Sequence, residues 1–90
     1  MPFYALTCLD RPGALQTRLD NRDRHLAYAR ESGVVVFGGP LLEDGQMVGS
    51  LVVIEADDLD GAKAWAAADP YEAAGLFQEV TIREWKRVLG

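Results

Sequence analysis

The ninety-residue chain holds one cysteine and one histidine, and those two scarcities exclude more chemistry than any motif in it suggests. A single thiol, Cys8, closes no intrachain disulfide. One histidine and one strand-borne cysteine fall short of the three or four ligands that a zinc site wants, so no metal is expected. Positive charge is scarce as well: nine Lys and Arg against fourteen Asp and Glu leave a formal charge of −5. Nucleic-acid surfaces need clustered cations to meet phosphates, so no nucleic-acid partner is expected. Long hydrophobic runs are missing too. The N-terminal stretch MPFYALTCLD has no basic region ahead of its short apolar run, and nothing approaches the ~18 apolar residues of a membrane span. The expectation is a cytoplasmic protein with no membrane partner.

Nucleotide and cofactor signatures are also absent. Gly38-Gly39-Pro40 reads as a turn with no helix behind it at dinucleotide or P-loop spacing. Asp57, Asp58 and Asp60 lack the EF-hand spacing and glycine, and fit a helix N-terminus instead. No G-x-S-x-G elbow is present. What chemistry there is would be independent of cofactors.

The hydrophobic fraction of 49% belongs to a globular chain. At this length one domain, 1–90, is expected, burying only about 60% of its unfolded surface. Strand-like and helix-like stretches alternate. Residues 2–9 are aromatic and aliphatic and end at the turn signal from Asp10 to Gly13. Residues 14–32 are helical by period, with Leu15, Leu19, Leu26 and Ala29 on one stripe, and Gly33 ends the helix. Residues 34–39 form a strand, Glu43 to Gly45 a hairpin turn, and 47–56 a further strand. Asp57 and Asp58 supply a cap to a second helix with the stripe Leu59, Ala62, Ala66 and Asp69, which Pro70 stops. Residues 77–88 alternate, with Val80, Ile82 and Val88 on one face and Phe77, Thr81 and Trp85 on the other.

The order β-α-β-β-α-β is that of an α+β, ferredoxin-like fold: a four-stranded antiparallel sheet with two helices on one face. The first strand nevertheless carries apolar groups on both faces, Phe3, Ala5 and Leu9 against Tyr4, Leu6 and Cys8. A sheet with a wet face alternates with polar residues, so the open face calls for a cover. A homodimer packed sheet face to sheet face supplies it most simply.

General acid–base chemistry remains. A rotation of ~100° per residue sets Arg18, Arg22 and His25 along one flank of the first helix's stripe. Asp69 falls on the sheet-facing side of the second helix, where it can meet His25. A carboxylate beside an imidazole fixes its tautomer and favours its charged form, giving a proton shuttle near neutral pH. Asp69 has a second reading, which spacing alone favours: with Pro70 at the first helical position and Glu72 at the third, it is a helix N-cap close to a capping box. Ser50 reads either as a small packing residue or as a pocket hydroxyl. Trp65 and Trp85 fit the core or an interface, and Cys8 fits an inert buried strand position.

Four stretches together carry a family resemblance: Arg22 to Leu26 (RDRHL), Gly38 to Leu41 (GGPL), Gly49-Ser50, and 62-AKAWAAADPYEAAGLFQEVTIREW-85. At this spacing and length the chain resembles the YciI-like (YCII-related) proteins over nearly its whole length. The resemblance implies a subunit that pairs into a dimeric α/β barrel, with His25 and Asp69 as acid–base pair. Arg22, Gly39, Pro40, Ser50 and Tyr71 would complete a small-molecule pocket. It further implies dehydrochlorinase-like chemistry, with no cofactor, on a chlorinated hydroxyquinone-type ring. Two functions follow as expectations: a lyase or isomerase of small cyclic or aromatic-derived compounds, or a non-catalytic ligand-binding or protein-interaction module in which Asp69 only caps.

Overall fold

The computed structural model describes residues 1–90 and contains β1 (Phe3–Asp10), α1 (Leu15–Ser32), β2 (Val35–Glu43), β3 (Gln46–Glu55), α2 (Leu59–Ala67), α3 (Pro70–Ala73) and β4 (Phe77–Trp85). The four strands form one sheet in the order β2-β3-β1-β4, every pair antiparallel. This is the expected ferredoxin-like arrangement, with one short helix, α3, added from Pro70 onward. No helix is long and apolar enough to cross a membrane.

Local chemistry accounts for the punctuation. Gly33 ends α1 in the left-handed conformation, and its N–H returns to the Arg30 carbonyl. Asp44 and Gly45, both with positive φ, make the tight β2–β3 turn. Asp58 caps α2 by accepting from the Gly61 N–H at 2.8 Å, a contact worth about 1 kcal/mol. Beside the future site Gly49 is required: a Cβ there would run into the Cys8 carbonyl across the β1–β3 pair.

The core lies between the sheet and the helices. Tyr4, Leu6 and Cys8 from β1 and Val52 and Ile54 from β3 meet Ala62, Tyr71, Leu76 and Phe77. Phe77 corrects the alternation read from the sequence. The β1–β4 register shifts between Leu9 and Asp10, and this irregularity turns Phe77 inward onto Tyr71, away from the face of Thr81 and Trp85. Strand β4 also stops at Trp85, so Val88 lies outside it and is exposed.

Helix α1 departs further from its sequence pattern. Its buried residues are Arg18 and His25, whereas Leu15 and Leu19 of the apolar stripe are 36% and 47% exposed. Polar partners on other elements make the polar face the better one to bury.

On the far side of the sheet, Phe3 and Phe37 both pack edge-on against Trp85, at centroid distances of 6.1 and 5.6 Å. Phe37 and Trp85 belong to opposite edge strands, so their rings reach toward each other across this face, and Val53 between them is 2% exposed. Leu9, Phe37 and Leu51 on the same face remain 37–43% exposed.

Candidate active site

The site is assembled by α1, the α2–α3 junction and the middle of β3. Asp69 is the N-cap of α3, with Pro70 following it at the first helical position. Its Oδ1 accepts from the Tyr71 N–H at 2.9 Å and lies 2.9 Å from His25 Nδ1. One oxygen therefore serves both roles that the sequence left open, cap and imidazole partner. The capping box does not close, because the Asp69 N–H is already taken by the Ala66 carbonyl.

A carboxylate oxygen accepts, so Nδ1 is the protonated nitrogen of His25. Nε2 is then the free, basic nitrogen of the neutral ring. It has no protein partner and keeps some contact with solvent. The imidazole is stacked on the Tyr71 ring at 4.1 Å and 11° between planes, which fixes its orientation from a second direction.

Beside this pair lies a group the sequence pattern did not resolve. Arg18, 3% exposed, donates through Nε to Asp10 Oδ2 at 2.7 Å and through Nη2 to Asp10 Oδ1 at 2.8 Å and Ser50 Oγ at 2.9 Å. Its guanidinium also sits 4.7 Å from the centre of the Tyr71 ring. Burial works against the Arg18 charge, but the forked Asp10 contact and the nearby phenol outweigh it and hold the guanidinium more firmly protonated than usual. Asp10 has only a turn residue's signature in the sequence, and the ion pair joins the end of β1 to a helix eight residues on. Ser50, open between packing and pocket roles in the sequence, is buried and anchors Arg18. Burial also raises the Tyr71 phenol, against the pull of Arg18 and Arg22.

A cleft of about 350 Å³ opens between α1 and the β2–β3 half of the sheet. His25, Arg22, Gly39, Pro40, Ser50 and Tyr71 all line it, as do Arg18 and Arg30. Asp69 does not. It stands behind His25, in the wall of a small cavity of about 10 Å³ shared with Cys8 and Trp65, with room for a water molecule at most. Of the pair, only the imidazole borders the cleft. Gly38 and Gly39 are not in a turn: they pair with Val52 and Leu51 inside β2, so their N–H groups run in the plane of the sheet. Arginine side chains, not a glycine turn, supply the positive field of the cleft. Cys8 borders only the small cavity, and burial, reinforced by Asp69 and Glu72, pushes its thiol up to about 12. No cluster of three or more His, Cys, Asp or Glu side chains is placed to hold a metal.

Protein YciI of Escherichia coli O6:H1 is 34% identical, with 96% of this chain and 98% of that one covered. A Haemophilus influenzae protein is 32% identical over the same shares. Among solved structures, the 5-chloro-2-hydroxyhydroquinone dehydrochlorinase of Burkholderia phenoliruptrix AC1100, in complex with 2,5-dihydroxybenzoquinone, superposes with a TM-score of 0.88 at 35% identity and 93% coverage of both chains. An antibiotic biosynthesis monooxygenase, 12% identical with a TM-score of 0.62, shares the fold alone. The YCII-related domain matches residues 2–86, and the chain belongs to that family.

Proposed function

We propose that the protein is a cofactor-independent lyase or isomerase in which His25 moves protons on a small cyclic or aromatic-derived compound bound in the cleft. The observation that carries this reading is the division of labour within one imidazole: Nδ1 is committed to Asp69, and Nε2 is left free on a ring that lines the cleft. Asp69 then holds the productive tautomer and stabilises the imidazolium formed when Nε2 takes a proton. Arg22 faces the negative charge that develops on a ring oxygen, and Tyr71 supports the imidazole by stacking. Gly39, Pro40 and Ser50 complete the wall opposite α1.

Elimination of HCl from a chlorinated trihydroxybenzene suits such a group. His25 Nε2 takes a hydroxyl proton and delivers it to the chlorine-bearing ring carbon, giving a keto tautomer. Nε2 then takes a second hydroxyl proton, the electron pair of that O–H bond moves into the ring, and chloride departs with the C–Cl pair. The product is a hydroxyquinone, and no external oxidant is needed. Support comes from the relative of 35% identity, a dehydrochlorinase of this substrate type.

The same reading includes a homodimer through the open sheet face. The half-exposed Leu9, Phe37 and Leu51 are the apolar surface that a second copy would cover.

The test is chloride release and quinone absorbance from 5-chloro-2-hydroxyhydroquinone, with His25→Ala and His25→Gln compared to wild type after circular dichroism shows each folded. Turnover by wild type and its loss in both variants are expected. Activity retained by a folded His25→Ala protein overturns the mechanism. Ligand binding without turnover in wild type gives the lead to a non-catalytic binding module.

A further inference from the structure

The protein is acidic, yet its cleft is not. Fourteen carboxylate side chains are spread over the chain, and none lines the cleft, while three of the nine cationic residues, Arg18, Arg22 and Arg30, do. Arg18 is neutralised by Asp10. Arg22 and Arg30 are in no ion pair. Both are exposed residues on the lining of a concave, partly apolar space, in which a charge acts on a ligand more strongly than on an open surface.

The spacing separates the two free arginines by function. Along α1, Arg22 lies about 4.5 Å of axial rise before His25, and Arg30 about 7.5 Å after it. The lining continues from Arg18 to Gly33, roughly 22 Å of helix, whereas a hydroxylated six-membered ring is about as long as one turn, roughly 5.4 Å. A ring whose reacting atoms meet His25 Nε2 and Arg22 leaves the Arg30 end of the cleft empty. Between them, Leu26, Ala29 and Val35 give that end an apolar wall with a cation at its rim.

We propose that the ligand is a ring compound with a second, permanently anionic substituent, a carboxylate, which Arg30 receives while the ring lies against His25 and Tyr71. This deepens the acid–base reading and rests on it for the position of the ring. Arg30 is also the basic residue of the last turn of α1, where the helix dipole favours a cation. The dipole accounts for a charge at that end. It does not account for Arg22 in mid-helix, or for a cleft free of carboxylates in a protein with fourteen of them.

The experiment is calorimetric binding of two probes matched in size and shape, 2,5-dihydroxybenzoate and 2,5-dihydroxybenzamide, to wild type, Arg30→Ala and Arg30→Lys at low and moderate salt. The acid should bind at least about tenfold more tightly than the amide, a charge-assisted contact's worth. The gap should shrink with salt, close in Arg30→Ala and reopen in part in Arg30→Lys. Equal affinities, no binding of the acid, or a gap that survives Arg30→Ala overturns the proposal. Binding is read without turnover, so the two readings fail separately. Wild type that dechlorinates an uncharged hydroxyquinol but shows no preference for the acid keeps the acid–base mechanism and loses the carboxylate. The reverse result keeps the anion site and loses the mechanism.

Discussion

Asp69 Oδ1 is held at 2.9 Å by both the imidazole of His25 and the backbone N–H of Tyr71, so one atom joins the start of a helix to the orientation of a proton carrier. The two duties respond differently to substitution. Asp69→Asn keeps a side-chain oxygen suited to capping, and stability should fall little, by less than about 1 kcal/mol. It removes the charge that supports the imidazolium, and turnover should drop about 10²–10⁴-fold. Asp69→Ala loses the cap, about 1 kcal/mol, and leaves Nδ1 unpartnered, about 1–3 kcal/mol more. Urea denaturation of the two variants beside kcat separates the roles. Long-range ¹H–¹⁵N spectra of the single histidine should show Nδ1 carrying the proton in neutral wild-type imidazole, and a mixed tautomer in Asp69→Ala.

The Arg18–Asp10 pair is a second device, and a costly one to break. Both side chains are almost fully buried. Asp10→Asn should destabilise the fold by about 3–5 kcal/mol, because it strands a guanidinium among Ser50 and Tyr71. A double variant, Asp10→Asn with Arg18→Met, should lose less than the sum of the single changes. Additive denaturation energies in that cycle would show that the two groups do not act as a unit.

Cys8 gives a dependence on pH whose sign follows from its environment. With its thiol pushed from 9.0 to about 12, the folded protein keeps a proton that the unfolded chain releases as pH rises past about 9. The stabilisation is complete below pH 9 and is lost between about 9 and 12. Tyr71, raised by burial, acts in the same direction, so the comparison is with Cys8→Ala. The difference in urea midpoint between wild type and Cys8→Ala should be constant from pH 7 to 8.5 and should move against wild type at pH 10. At pH 8 the folded protein should resist iodoacetamide, which reacts with the thiolate.

The open sheet face carries the remaining prediction. Leu51→Glu places a charge among Leu9, Thr7 and Phe37, where a second copy would pack. Analytical ultracentrifugation should find wild type dimeric and Leu51→Glu monomeric, with far-ultraviolet dichroism unchanged. A wild type that sediments as a monomer at micromolar concentration removes the sheet-face dimer.

Sequence alone determined the four strands, the two main helices and their order. The reason is that the signals are local: Gly33 for a left-handed helix end, Asp44-Gly45 for a tight hairpin, Asp58 and Asp69-Pro70 for helix starts. His25 and Arg22 were legible as candidates from helix spacing, with Ser50 open between two roles, while Gly39, Pro40 and Tyr71 came from the family resemblance; the fold gathers all six around one cleft. Tertiary structure decided what those residues face. The leucines of α1 predict an apolar packing stripe, yet the helix buries Arg18 and His25, because Asp10, Ser50 and Asp69 satisfy them from 8, 32 and 44 residues away. No local pattern records such partners. The same holds for Phe77, which a shift of register against β1 turns into the core. Periodicity describes what a segment can bury; which face it buries is set by the polar groups that distant strands and caps bring to meet it.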